Sequence, residues 1–321
     1  MVAGTEFSLI RHYFLRPAHS AVLGMGDDAA LLQPSAGQLL AVSTDTLVSG
    51  VHFFADADAH LLGWKSLAVN LSDLAAMGAV PRWATLALTL PAIDEGWLSA
   101  FAAGWHECAQ QAGIDLIGGD TTQGPLTLTV TVLGEVPAGQ ALRRDAACAG
   151  DDIWVSGTLG DAALALAVLQ DRLQADLADR AVLTGRLHQP QARLTLGVAL
   201  RGLAHAAIDI SDGLLADLGH ILERSGVGAT IEFAHVPVSP AAARFALHPL
   251  YAGCVLAGGD DYELCFTAPA AAATTIEALS GRLGVALKRI GRIEVQPGLR
   301  VLDAAGRTMQ TGRMGYEHFA A

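Results

Sequence analysis

The sequence has few aromatic residues and no concentration of positive charge. Aromatic residues make up 6% of the 321 residues, whereas 52% are hydrophobic and 35 are glycine. This composition is typical of a folded globular protein rich in small residues, and it excludes a disordered chain. The formal net charge is −12, and Lys and Arg form no run. A nucleic-acid backbone would be repelled, so we exclude nucleic acid as the main partner.

Cysteine is also scarce, and long apolar runs are missing. The four cysteines are widely spaced without a CxxC pair: Cys108, Cys148, Cys254 and Cys265. This spacing favours reduced thiols over a zinc site or a disulfide framework. The longest obvious apolar run, residues 162–169, is shorter than the ~18 residues that span a bilayer, and the N-terminal residues lack the order of a secretory signal. We predict a cytoplasmic protein without a membrane partner.

Length and patterning predict an α/β (α+β) chain with two mixed α/β domains. A segment with Pro, Gly and Arg, residues 137–151, indicates a linker. We therefore expect an N-terminal domain over 1–137 and a C-terminal domain over 138–321. In residues 126–133, polar and apolar residues alternate, which predicts an antiparallel strand with one wet or interface-facing side.

Periodicity places the other elements. The predicted helices cover residues 6–15, 59–77, 94–112, 160–172, 190–204, 213–225 and 270–281. The main further strands cover residues 38–45, 83–90, 114–117, 152–156, 206–210, 228–234 and 262–267. We expect the first of these strands to end at the motif STDT and the third to run into GGDTT, so that each acidic motif lies at a strand–helix junction.

These acidic motifs are the main candidates for chemistry. Their aspartates are Asp28, Asp45, Asp73, Asp120, Asp209 and Asp212. Taken singly, each is often a helix cap or a turn. If they converge, each like-charge pair costs on the order of 4 kcal/mol at about 4 Å, with an effective dielectric constant of about 20. Hard divalent cations would balance that charge, and oxygen ligands favour Mg²⁺ or Ca²⁺ over zinc. Because Mg²⁺ shares its shell with phosphate oxygens, we expect a polyphosphate substrate.

Three phosphate-binding motifs of other protein classes fit less well. GMGDDA, residues 24–29, matches G-x-G-x-x-A, but its two adjacent carboxylates would repel a pyrophosphate. P-loop and eukaryotic-type protein-kinase motifs do not occur.

The glycines of GGDTT permit close approach of the backbone to a ligand. The Arg144 guanidinium suits bidentate phosphate recognition, unless it is a solvated linker charge. His52 is either functional or a satisfied histidine at a strand edge.

Six ordered motifs together resemble the thiamine-monophosphate kinase family, within the superfamily of aminoimidazole ribonucleotide synthetase. They are GDDAALL, STDTLVSGVHF, AVNLSDLAAMGA, LIGGDTT, IDISDGLLADLGH and GGDDYELCF. The resemblance runs from EFSLI at residues 6–10 to GYEHF at residues 315–319. It implies transfer of the ATP γ-phosphoryl group to thiamine monophosphate, with thiamine diphosphate and ADP as products.

The resemblance also implies roles for individual residues. Positions that hold several Mg²⁺ ions correspond to Asp28, Ser43, Thr44, Asp45, Asp73, Asp120, Asp209 and Asp212. Positions that contact ATP correspond to Gly119, Asp120, Arg144 and Ser211, and those around the thiamine phosphate to His52, Asp260 and Tyr316. We expect Asp120 and Asp212 to be the catalytic residues. The family commonly has Glu where Asp260 stands, so this contact is one methylene shorter.

The resemblance further implies a homodimer in which strands of both N-terminal domains form a shared barrel. Phosphoryl transfer needs alignment and charge neutralisation more than covalent chemistry, so we expect direct in-line transfer without a phosphoenzyme.

Three rival functions remain open at this point. The first is a related enzyme of the superfamily with a different acceptor, such as a formyl-amide or selenide. The selenide enzyme usually has a reactive Cys or selenocysteine near its N-terminus, whereas the first cysteine here is Cys108. The second is a metal-dependent phosphatase, and the third is a non-catalytic nucleotide or Mg²⁺ sensor.

Overall fold

The chain divides into two compact units, and each combines helices with one sheet. The structure, a computed structural model, describes residues 5–310, 312 and 314–316. Unit 1 comprises the chain up to Leu74 together with Ala79–Gly139, and unit 2 comprises Ala75–Gly78 and the chain from Gln140 onward. The predicted mixed α/β class is confirmed. The functional division into the two predicted domains stays a prediction.

Ten α-helices and ten strands are formed by the described residues. The helices are α1 Glu6–Leu9, α2 Ala59–Ala76, α3 Glu95–Ala112, α4 Asp161–Leu169, α5 Leu177–His188, α6 Leu194–Ala199, α7 Leu214–Ser225, α8 Pro240–Ala243, α9 Tyr251–Ala257 and α10 Ala273–Leu283. The strands are β1 Gln38–Val48, β2 Val80–Leu90, β3 Asp115–Gln123, β4 Thr127–Pro137, β5 Asp152–Ser156, β6 Ala206–Asp209, β7 Gly228–Glu232, β8 Leu264–Ala268, β9 Leu287–Glu294 and β10 Gly298–Leu302.

The sheet of unit 1 has four strands in the order β1-β4-β2-β3. Strand β4 is antiparallel to β1 and β2, and the parallel strands β2 and β3 are joined through α3. Along β4, Leu128, Val130 and Val132 are buried, whereas Thr129 and Thr131 are partly exposed. The predicted alternation is confirmed. The sheet is open, with β1 and β3 at its edges.

Helices α2 and α3 cross with their backbones in contact. A Cβ atom added at Gly63 would lie 2.0 Å from the carbonyl oxygen of Phe101, and one at Gly104 would lie 1.8 Å from that of His60. These separations leave no room for any side chain. The crossing therefore requires glycine on both helices.

Unit 2 contains a six-stranded sheet in the order β10-β7-β9-β5-β8-β6, in which only the β10–β7 pair is parallel among the described strands. Helix α7 packs on its core through Leu214, Leu218, Ile221 and Leu222. The spacing of three and four residues places these side chains on one face of the helix. The helix predicted over 213–225 is confirmed.

The acidic motifs STDT and GGDTT lie inside β1 and β3 rather than at their ends. NLSD lies within α2. The prediction that every motif occupies a strand–helix junction is therefore wrong. The apolar runs stop at STDT and GGDTT, but backbone pairing with β4 and β2 continues, because ladder hydrogen bonds do not depend on side-chain polarity.

Two further expectations for unit 2 need correction. The predicted linker is packed against the unit, since Leu142 and Ala147 are buried in its core and Arg143 bridges Ala206 of β6. Helix α5 has no counterpart among the predicted helices, and the helix expected over 190–204 is reduced to α6. In α5, Leu177 is 88% exposed, so its apolar residues do not follow a clean helical period.

In the part of the chain that the structure describes, no helix combines the length and apolarity needed to cross a bilayer. The four cysteines are free thiols: Cys108 and Cys265 are buried, Cys254 is half-buried and Cys148 is exposed. The shared barrel concerns a dimer and stays a prediction.

Candidate functional site

Three of the predicted metal positions meet where β1 faces α2. The Ser43 hydroxyl donates to Asp73 Oδ2 at 2.6 Å, and the Asp45 amide donates to Asn70 Oδ1 at 3.0 Å. Asn70 is buried, and its Nδ2 donates to the Ser66 carbonyl at 3.0 Å. Residues 70 and 73 share one stripe of a helix because they are three apart. Asn70 thus positions Asp45, a role that the sequence motifs alone do not indicate.

Thr44 points to the opposite face of the sheet from Ser43. Its hydroxyl is hydrogen-bonded to that of Thr131 at 2.8 Å, and the next pair, Thr46 and Thr129, lies at 2.9 Å. Successive side chains of a strand point to opposite faces. The Thr44 hydroxyl is therefore separated from the Ser43–Asp73 pair, and a metal role for Thr44 stays a prediction.

Asp120 is exposed on β3, where it pairs in register with Ala87 of β2. Ala87 is paired with Thr129, so Asp120 continues the cross-strand row that contains the threonine hydroxyls. A Cβ atom at Gly119 would lie 1.8 Å from the carbonyl oxygen of Leu86. Glycine is thus required at position 119 by contact with β2, whatever its role toward ATP.

Asp28 and His52 occupy loops of unit 1. Asp28 lies in an exposed turn, where its amide donates to Asp27 Oδ1 at 2.9 Å. The backbone amide of Val48 donates to His52 Nδ1 at 3.0 Å. Nδ1 is therefore an acceptor, and in the neutral ring the hydrogen is on Nε2. His52 is thus a hydrogen-bonded histidine near the end of a strand, which is one of the two predicted alternatives. Its substrate role stays a prediction.

In unit 2, the motif DISDG forms the junction between β6 and α7 around the carboxylate of Asp217. The consecutive amides of Ser211, Asp212 and Gly213 each donate to Asp217 Oδ2 at 3.1 Å. Asp217 is buried in the first turn of α7. Asp217 is absent from the predicted site residues, although an acidic residue in the first turn of a helix is a recognisable helix-start signal.

The charge of Asp217 is costly in this position. Burial raises the pKa of its carboxyl group, and the neighbouring Asp212 charge raises it further, to about 7. The three amide donors lower the pKa and partly oppose these effects. Asp217 therefore organises the loop next to a second carboxylate at a cost in electrostatic energy.

Three sequence motifs meet at this loop. The Asp260 amide donates to the Ser211 carbonyl at 2.9 Å, and the Tyr316 amide donates to the Asp212 carbonyl at 3.0 Å. The Tyr262 hydroxyl donates to Asp260 Oδ1 at 2.9 Å. The structure thus brings together four predicted site residues: Ser211, Asp212, Asp260 and Tyr316. The remainder of GYEHF, residues 317–319, lies outside the described residues.

Buried charges hold the segment GGDDYE in place. Glu263 is fully buried and accepts from Arg186 Nη2 at 2.5 Å and from Arg193 Nε at 2.6 Å. Asp261 is also buried and accepts from the Gly160 amide at 2.9 Å. Burial raises the pKa of the Asp261 carboxyl group well above its usual value. The acidic loop is therefore anchored by two buried carboxylates: Asp261 accepts a backbone hydrogen bond, and Glu263 is paired with two arginines.

Two further predicted residues of unit 2 have different surroundings. Asp209 is buried at the end of β6, in register with Leu264 of β8. Arg144 is exposed, and its carbonyl oxygen accepts from the Ser225 hydroxyl at 2.9 Å. Its predicted contact with ATP, like the convergence of the aspartates of both units in one site, stays a prediction.

Comparison with known proteins identifies both halves of the chain. Residues 26–136 match the family model of the AIR synthase related protein, N-terminal domain, and residues 149–304 match the C-terminal domain. The thiamine-monophosphate kinase of Escherichia coli K12 is 48% identical over 319 residues, which cover 98% of both chains. That of Bacillus subtilis is 33% identical over 98% of this chain and 99% of its own.

Solved structures give the same family. Thiamine-monophosphate kinase from Stenotrophomonas maltophilia is 52% identical, with a TM-score of 0.86 over 94% of this chain and 96% of the other. AaThiL complexed with AMPPCP and TMP is 30% identical, with a TM-score of 0.78 over 92% of both. E. coli HypE, a hydrogenase maturation protein, is 24% identical with a TM-score of 0.78 over 97% of both chains, and shows the fold alone. The resemblance predicted from the six motifs is confirmed.

Proposed function

Since the chain belongs to the thiamine-monophosphate kinase family, we propose that it transfers the γ-phosphoryl group of ATP to thiamine monophosphate. The products are thiamine diphosphate and ADP. The observation that carries this proposal is the 48% identity with a thiamine-monophosphate kinase over 98% of both chains. AaThiL complexed with AMPPCP and TMP supports the same pair of substrates.

The reaction moves one phosphoryl group between two anions. The bond between the γ-phosphorus and the β,γ-bridging oxygen breaks, a bond to an oxygen of the acceptor phosphate forms, and ADP leaves. The attacking oxygen already belongs to an ionised phosphate, so the protein needs no strong general base. Its task is to align two negatively charged groups and to offset their repulsion.

We propose several Mg²⁺ ions as the source of that neutralisation. The donor set supports them, because the candidate ligands are carboxylate and hydroxyl oxygens, which Mg²⁺ prefers. The residues that would hold them are Asp28, Ser43, Asp45, Asp73 and Asp120 in unit 1 and Asp209 and Asp212 in unit 2, with Thr44 as a further candidate. Bound Mg²⁺ supplies charge neutralisation at phosphate oxygens.

The remaining roles belong to groups of the chain itself. Ser211, Gly119 and Arg144 are proposed to contact ATP, while His52, Asp260 and Tyr316 are proposed to surround the thiamine phosphate. Support comes from the hydrogen bonds that join Ser211 to Asp260 and Asp212 to Tyr316. These contacts would keep the nucleotide and acceptor positions of unit 2 at a constant separation, which in-line transfer requires.

We further propose a homodimer formed through unit 1, in the cytoplasm. Strand β1 is at a sheet edge and exposes Leu39, Leu40 and Val42 by 54%, 41% and 60%. Exposed apolar residues on an edge strand favour association. Sedimentation equilibrium should give a dimer for the wild type and a monomer for Val42→Asp. A monomeric wild type would contradict the dimer without affecting the kinase assignment.

A coupled ADP assay tests the activity. Thiamine, thiamine monophosphate and unrelated phosphate esters are offered side by side with ATP and Mg²⁺, and only thiamine monophosphate should yield ADP. Activity restricted to an unrelated ester would indicate another acceptor. Nucleotide binding without ADP release would indicate a sensor, and release of phosphate without ATP would indicate a phosphatase.

A further inference from the structure

A second group of potential ligands lies in unit 2 and contains sulfur, nitrogen and oxygen. It consists of Cys148, Asp151 and His205, whose ligand atoms all lie within 4.8 Å of one another. None of these residues belongs to the acidic motifs. The group therefore has a chemistry different from that of the oxygen-only positions assigned to Mg²⁺.

Backbone contacts hold the three residues in place. The Cys148 amide donates to Asp151 Oδ2 at 2.9 Å, and the Asp151 amide donates to the Cys148 carbonyl at 3.0 Å. The Asp151 carbonyl accepts from the Ile293 amide at 2.8 Å, while the His205 amide donates to the Thr267 carbonyl at 2.8 Å. Asp151 and His205 lie directly before β5 and β6, which are strands of one sheet, and Cys148 lies in the turn that precedes β5.

The side chains are arranged from buried to exposed. His205 Nδ1 lies 3.0 and 2.9 Å from the two carboxylate oxygens of Asp151. The Asp151 side chain is 4% exposed and that of His205 is 40% exposed, while Cys148 is exposed. An ion can therefore reach the thiol and the imidazole from solvent, with the carboxylate at the base of the site.

We propose that Cys148, Asp151 and His205 form a binding site for a zinc ion. Zinc accepts thiolate, imidazole and carboxylate ligands together at about 2.0–2.3 Å, commonly as three protein ligands plus water. Tetrahedral geometry at these bond lengths places ligand atoms about 3.3–3.6 Å apart. The present arrangement reaches this geometry when His205 and Asp151 separate slightly and the thiol moves inward. Mg²⁺ is a poor match because it avoids sulfur.

Binding exchanges protons for the metal. The Cys148 thiol must lose its proton, and a proton on His205 Nδ1 must be released, before either atom coordinates zinc. Affinity should therefore rise with pH. The ion would join the segment before β5 to the start of β6, and that segment also contains Arg144. The proposal is independent of the kinase activity.

Zinc titration of the full-length, chelator-treated protein tests the site. The titration is performed in excess Mg²⁺ against a chromophoric zinc indicator, so that oxygen-only positions are occupied. The wild type should bind one equivalent, and Cys148→Ser and His205→Asn should each weaken binding by at least about tenfold. Cys254→Ser is the matched control, since this thiol lies outside the group, and it should bind as the wild type does.

A second measurement reports on Cys148 directly. Zinc should protect this thiol from alkylation by iodoacetamide, as read by peptide mass spectrometry, in the wild type and in Cys254→Ser. Protection should be lost in His205→Asn. Unchanged zinc affinity in Cys148→Ser, or equal alkylation of Cys148 with and without zinc, would overturn the proposal even if a variant were less stable.

Discussion

The acidic groups of the two units are built in different ways. In unit 1, Ser43, Asp45 and Asp73 lie within a regular strand and a regular helix, and side-chain hydrogen bonds hold them there. In unit 2, Ser211 and Asp260 lie in loops, and backbone amides and carbonyls join the loops. Regular elements define positions through their own ladders, whereas loops need additional groups to fix them.

Buried carboxylates fill that need in unit 2. Asp217 accepts hydrogen bonds from three consecutive amides of the loop that contains Ser211. Glu263, in the segment that contains Asp260, accepts from two arginines. In unit 1, the buried and uncharged side-chain amide of Asn70 accepts a hydrogen bond from the Asp45 amide of β1. Unit 2 should consequently be more sensitive to loss of a single buried acid than unit 1 is to loss of a hydroxyl.

The largest expected effect tests whether both regions serve the reaction. Asp120→Asn in unit 1 and Asp212→Asn in unit 2 should each lower kcat by about 100-fold or more, because each removes a carboxylate proposed to hold the Mg²⁺ ions that offset the charge of the phosphate groups. Unfolding free energy should change by less than about 0.5 kcal/mol, since neither side chain is buried. Asp171→Asn, an exposed residue outside the motifs, is the control. Near-normal activity of both variants at limiting Mg²⁺ would contradict the assignment.

The next effect separates the loop-building acid from the strand-based group. Asp217→Ala should lower the free energy of unfolding by about 2–3 kcal/mol, because three amides lose their acceptor. Asp217→Asn keeps one acceptor oxygen and removes the buried charge, so its loss should be below about 1 kcal/mol. Urea unfolding followed by circular dichroism gives both values. Equal losses of unfolding free energy in the two variants would contradict this expectation, because the acceptor oxygen that Asn retains would then not stabilise the loop.

The matching change in unit 1 should be smaller. Ser43→Ala removes one hydroxyl donor to the half-buried Asp73 and should cost about 1 kcal/mol or less in the same urea experiment. Thr46→Val is a suitable control, because it removes a hydroxyl from the same strand on the opposite face. A loss for Ser43→Ala as large as that for Asp217→Ala would remove the contrast between the two units.

The smallest effect concerns pH and unit 1. Burial lowers the pKa of His106, whose Nε2 lies 3.0 Å from the Tyr13 carbonyl. Below about pH 6.5, the unfolded chain binds a proton that the folded chain binds less well, so the unfolding free energy falls as pH falls. His106→Gln should flatten this acid slope in urea titrations between about pH 7 and pH 5. An acid slope that is the same in His106→Gln as in the wild type would contradict this role of His106.

Much of the fold followed from local signals, and most differences have a common cause. Periodicity correctly predicted α7 and the alternation along β4, because in both cases one face is buried along the whole element. It ended the first strand at residue 45, within STDT, because the side chains there become polar, whereas backbone pairing continues β1 to Val48.

The candidate site shows the same limit. Ser211, Asp212, Asp260 and Tyr316 were selected from motifs, and the structure brings them together in unit 2. Asp217 was not selected because an acidic residue in the first turn of a helix is common, and only the structure shows that it accepts from three amides of its own loop. The group of Cys148, Asp151 and His205 could not be predicted, since its histidine is distant in sequence and only the sheet makes the three residues neighbours.

The backbone contact between α2 and α3 at Gly63 and Gly104 limits how mutation can change the acidic group of unit 1, which contains Asp73. Where two helical backbones touch, neither helix can sink deeper, and neither can be pushed outward by a larger side chain without opening the crossing. Asn70 and Asp73 lie about two to three turns beyond Gly63. The distance from their side chains to β1 therefore depends on the position that this crossing gives to α2. Mutation can therefore change Asn70 or Asp73 singly, but a methyl group at position 63 or 104 would displace α2 and shift both residues at once.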